Sequence, residues 1–114
     1  MPPRVNPLKL NPLQLKTLTL LQELGRLIGT PAPEEGEGAL LVNQFPHAHG
    51  NHFHMGDAVV STADANGLSN PSVWVALERK GLIKSRFPHA AVITLEGMGY
   101  DTGMGDKILH RSDH

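Results

Sequence analysis

The chain contains no cysteine, which excludes disulfides, thiolate metal sites and cysteine nucleophiles and leaves histidine and carboxylates as the only metal ligands. Aromatic residues are nearly as scarce, with only Trp74, Tyr100, Phe45, Phe53 and Phe87 in 114 residues. The core must therefore rest on leucine, valine and alanine, and each well-buried leucine matters. Neither sign of charge is in excess. A formal net charge of -1 produces no strong field to concentrate the chain on phosphate backbones, which counts against tight nonspecific nucleic-acid binding. Protonation of the seven histidines below about pH 6.5 turns that balance positive, so any such binding is expected to be pH-sensitive. No apolar run approaches the roughly 20 residues that span a bilayer, and the first residues lack the apolar core of a signal peptide. A cytoplasmic protein of one domain, with no membrane partner, is the expectation. Catalytic signatures are missing too. No nucleophile elbow, phosphate-cradling glycine loop or His-Glu-x-x-His helix occurs, so an enzyme is not expected.

Against these absences stand several well-marked elements. Asn6-Pro7 and Asn11-Pro12 each place a good N-cap before a residue suited to the first helical position. The second pair opens a helix over 12–28, in which Leu13, Leu20, Leu24 and Leu27 share a face that Leu21 and Ile28 widen, leaving Gln14, Lys16, Gln22, Glu23 and Arg26 as its polar remainder. Leucines on more than one side of this helix suggest a homodimer interface. The stretch 30–38, rich in Pro, Glu and Gly, buries nothing by composition and reads as a mobile acidic loop. Residues 39–45 suit a buried strand. Asp57 is expected to cap a helix over about 57–66 that Asn66-Gly67 ends. Asn70 and Pro71 then open a further helix, which Gly81 stops after the basic Arg79-Lys80 turn. Strands are predicted at 82–84 and 90–95. The domain is expected to occupy 1–105, with 106–114 a disordered tail.

Four imidazoles, His47, His49, His52 and His54, stand close together in the chain. If Gly50-Asn51 makes a two-residue hairpin turn, alternation puts all four on one face of the ladder, a set that suits zinc or nickel. A connecting hairpin with an exposed polar face explains the same residues without a metal.

The phrase Leu77-Glu78-Arg79-Lys80-Gly81-Leu82-Ile83, followed by Val92-Ile93-Thr94-Leu95-Glu96-Gly97-Met98-Gly99, resembles the winged helix-turn-helix family of bacterial regulators, best over about 57–97. The resemblance implies an α+β fold of three main helices with a small antiparallel sheet, and a transcription regulator that binds double-stranded DNA. Helix 71–80 would then enter the major groove and 85–89 would form the wing. Carried onto this chain, the DNA-binding positions are Ser69, Asn70, Ser72 and Val73 on the helix side and Lys84, Arg86 and His89 in the wing. Trp74 and Val75 depart from the pattern, standing where polar reading residues would be welcome. They leave open an alternative, a winged-helix protein-interaction module with a partner at Trp74, or a metal-sensing one built on the histidines.

Overall fold

The computed structural model describes residues 6–48 and 50–111. Its centre is α1 (Pro12–Ile28). The helix starts where the Asn-Pro pair predicts: Asn11 Oδ1 accepts from Gln14 N at 2.8 Å and Gln14 Oε1 accepts from Asn11 N at 3.0 Å, a reciprocal cap that satisfies two otherwise unpaired donors. Nine consecutive residues, 17–25, are buried, so this helix has no solvent face along its middle. Of the residues that suggested a homodimer interface, Leu20, Leu21 and Leu24 are taken up by the molecule's own core and Leu13 packs against it. Only Leu27 (46 % exposed) and Ile28 (45 %) at its end remain at the surface.

The polar side of α1 is buried because the C-terminal segment packs on it. Gln22 Nε2 donates to the carbonyls of Gly97 at 2.7 Å and Tyr100 at 2.8 Å, and the Thr19 and Thr102 hydroxyls meet at 2.6 Å. Of the expected tail 106–114, residues 106–111 take part in α4 (Gly105–Ile108) and β7 (His110–Arg111), with Ile108 and Leu109 in the core, and 112–114 lie outside the described residues. The two apolar residues give the segment burial that offsets its glycine-rich approach.

Burial would raise the Glu23 carboxyl, but hydrogen bonds from Arg111 (2.9 Å) and Arg26 (3.0 Å) outweigh it and hold the group below its ordinary value. A carboxylate lowered in the folded state adds stability at neutral pH that is lost as pH falls through the folded pKa. Glu23→Gln is therefore expected to cost about 2 kcal/mol at pH 7. The gap to wild type should close on acidification toward pH 3, followed by thermal melts across pH. An equal gap at both ends of that range would mean that the pairs contribute nothing.

Two small antiparallel sheets flank this helix. β1 (Thr30–Pro31), β2 (Leu40–Val42), β5 (Ile83–Arg86) and β6 (Ala90–Ile93) form one, in the order β1-β2-β6-β5. β3 (His52–Met55), β4 (Ala58–Ser61) and β7 form the other, in the order β3-β4-β7. The helix expected over 57–66 is not formed. Gly56, at φ 59°, turns the chain through Gly56-Asp57, and Ala58-Val59-Val60 runs back as β4, as β-branched residues favour. Asp57 pairs with Arg111 rather than capping a helix. A 3-10 helix, Thr62–Ser69, follows, close enough to α1 that a Cβ on Gly67 would lie 1.7 Å from Thr17 Oγ1.

α2 (Pro71–Arg79) begins at Asn70, whose Oδ1 accepts from Ser72 N at 3.0 Å, and Gly81 turns the chain out of it at φ 77°. Val73, Trp74 and Leu77 bury one face. A short α3 (Leu95–Gly99) follows β6. The architecture is a compact α+β fold, and among the described residues no helix is long and apolar enough to cross a membrane.

Candidate nucleic-acid interface

Three contacts join α2 to the β5–β6 hairpin. The Trp74 and Phe87 rings meet edge to face with centroids 5.1 Å apart. Glu78 Oε2 accepts from Ser85 N at 3.3 Å, and Leu82 N donates to Leu77 O at 3.1 Å. The hairpin is thereby set at a fixed angle to the helix. The connection 87–89 lies at its tip, where His89 N donates to Arg86 O at 3.0 Å.

The expected DNA-binding residues divide on burial. Ser69, Ser72, Lys84, Arg86 and His89 are exposed and Asn70 is half-buried, its side-chain oxygen engaged by the cap. Val73 is only 5 % exposed and belongs to the core, so it is withdrawn from the surface set. Helical spacing brings a different residue forward. Ser72, Val75 and Arg79 are exposed at i, i+3 and i+7 and share one face. Arg79, read from sequence only as a complement to the helix C-terminus, is the guanidinium on that face. The i+3/i+7 spacing from Ser72 was the signal for it.

Trp74 is the plainest correction. At 1 % exposure it is a core residue, its Nε1 donating to Gly67 O at 3.2 Å and its ring flanked by Phe45 as well as Phe87. An indole so enclosed offers no partner surface, and the departure from the family pattern that it had suggested is a packing requirement.

The two cations of β5 are already engaged. Lys84 Nζ donates to the Glu35 carbonyl at 2.6 Å and lies 3.5 Å from its carboxylate, and Arg86 pairs with the other carboxylate oxygen. Glu35 belongs to a 3-10 turn, Pro33–Glu35, inside the stretch read as a mobile acidic loop. That stretch is folded, with Ala32 buried within it and Ala39 buried just after it.

No family model matches the chain, and neither does any curated protein or solved structure.

The histidines do not share the hairpin expected of them. Residues 43–48 form no strand, and the ladder pairs His52 with Ser61 and His54 with Val59. His52 and His54 still share a face, with ring centroids 5.2 Å apart. His47 is exposed outside the strands, and His49 lies outside the described residues. Among the described residues no group of three or more His, Cys, Asp or Glu side chains is placed to hold a metal. The pair supplies two of the four positions that a zinc site fills.

Proposed function

We propose that this chain is a winged helix-turn-helix DNA-binding regulator, reading a duplex with the exposed face of α2 and flanking it with the β5–β6 wing. The observation that carries the reading is the sheet order β2-β6-β5 with α2 braced against the tip of that hairpin through Trp74 and Phe87. A strand after the first helix, a helical pair, and a hairpin returning to that strand is the element order that the resemblance implies; here a 3-10 helix stands in place of the first member of the pair and the β3–β4 hairpin is inserted before it. In this reading Ser72 and Arg79 approach the groove, Val75 offers an apolar contact to a thymine methyl group, and Asn70 and Ser69 lie at the helix N-terminus near phosphate.

With Lys84 and Arg86 both engaged by Glu35, binding in the resting state is carried by the helix and is weak. Replacing Ser72 and Arg79 together by alanine is expected to lower affinity for a random duplex about tenfold near 0.1 M salt. It should also flatten the salt dependence by about 0.9 in log-log slope, the effect of one lost phosphate contact. Fluorescence anisotropy across a salt series measures both quantities. Unchanged affinity and slope in the double variant would remove α2 as the binding element.

A further inference from the structure

Lys84 and Arg86 are two residues apart on the edge strand β5, both exposed and on one face. The register carries that face across the whole sheet: Lys84 opposes Val92, Val92 opposes Leu41, and Leu41 opposes Thr30, and residues directly opposed on neighbouring strands point to the same side. Val92 is nonetheless fully buried, so this outer face is covered. The cover is the segment between β1 and β2. It leaves from the β1 edge, and its Glu35 reaches both cations of β5 at the opposite edge. Ala32 and Ala39 are buried along it.

This crossing is braced throughout its length. Ala32 N donates to Ala39 O at 2.9 Å, Glu35 N to Ala32 O at 2.9 Å and Ala39 N to Gly36 O at 3.1 Å. Gly38 takes φ 76° under the Leu95 side chain. The carboxylate is thus delivered to the wing by a folded element rather than by a side chain that happens to reach it. A guanidinium presents the same forked donors to carboxylate and to phosphate, and ion pairs exposed to this degree are weak enough to exchange.

We infer that the strap 30–39 is an autoinhibitory contact in which Glu35 occupies the two wing cations that phosphate would otherwise take. The inference rests on the DNA-binding reading above. While Glu35 is seated, neither cation is open to phosphate, and release of the carboxylate frees Arg86, whereas Lys84 keeps its bond to the Glu35 backbone carbonyl.

The test is the isosteric Glu35→Gln variant, which keeps the backbone of the strap and the burial beneath it. Affinity for a random duplex should rise about eightfold at 0.1 M salt, and the log-log salt slope should steepen by about 0.9, as the one contact added by Arg86 requires. Adding Arg86→Ala to Glu35→Gln should take back about eightfold, more than Arg86→Ala costs in the wild-type background. A thermal melt of each variant establishes that it is folded. If Glu35→Gln leaves affinity and slope unchanged while the Ser72/Arg79 double variant still weakens binding, the inhibitory role is wrong and the DNA-binding reading stands. If no folded variant binds the duplex at low salt, both fall together.

Discussion

Replacing Trp74 by alanine is expected to lower the unfolding free energy by about 3–5 kcal/mol, the range for removing a buried tryptophan. Trp74 is the only tryptophan in the chain and is almost fully enclosed. Its ring fills the space between Phe45 and Phe87 and so connects α2 to the tip of the β5–β6 hairpin. With few other aromatic residues available, neighbouring side chains cannot collapse to fill the void, which places the cost toward the upper end. A domain of this size is held by about 5–15 kcal/mol in all, so the loss is a large fraction of its stability. At a mid-range slope the urea midpoint, followed by circular dichroism, should fall by about 2 M. Trp74→Phe separates packing from hydrogen bonding. It keeps an aromatic ring but leaves the Gly67 carbonyl without its indole donor, and is expected to cost about 1–3 kcal/mol. A drop of under about 1 kcal/mol in the alanine variant would mean that the indole is not in the core.

The second large effect is expected at Gly97. A Cβ there would lie 1.9 Å from the Leu82 carbonyl oxygen and 2.9 Å from its carbon. That carbonyl has nowhere to go, since it accepts from both Thr94 N at 3.1 Å and Thr94 Oγ1 at 3.0 Å. Nor can Gly97 retreat: its N–H donates to Thr94 Oγ1 at 3.0 Å and its carbonyl accepts from Gln22 at 2.7 Å. Gly97→Ala sets backbone against backbone and should cost about 3 kcal/mol or more, the top of the overpacking range. Gly99, two residues on, is the control. Nothing stands within 4 Å of a Cβ at that position, so Gly99→Ala should be neutral or mildly stabilising through the better helix propensity of alanine. Equal melting temperatures for the two variants would rule out the close approach of α3 to Leu82.

Local signals made parts of this fold legible. Asn11-Pro12 and Asn70-Pro71 mark the starts of α1 and α2, and the strands predicted near 82–84 and 90–95 correspond to β5 and β6. Caps and proline act within a few residues, so a linear reading finds them. Elsewhere the deciding partner was far away. Gln22 and Glu23 read as solvent-facing because nothing nearby in sequence announces that Gly97, Tyr100 and Arg111 will cover them. Glu35 read as part of a mobile loop because its cations lie about fifty residues on, at Lys84 and Arg86. Ala58-Val59-Val60 was ambiguous on its own terms, since a short apolar run carries no period that separates strand from helix. Of the candidate interface, Lys84, Arg86, Ser69 and Ser72 are exposed as their positions suggested. Val73 and Arg79 exchanged places because a one-residue choice of helical phase decides which side chains face outward.

The centrality of α1 also bears on how the chain is made. Glu23 leaves the ribosome 88 residues ahead of its partner Arg111, an interval of about 4–18 s at the usual ~5–20 residues per second. Throughout that interval the leucines and the buried polar side of α1 lack their final cover, because β7 and the segment around Thr102 have not yet emerged. Contacts of such wide sequence separation make folding slow relative to local helix formation. The helix at the middle of the fold is thus synthesised well before the segments that enclose it.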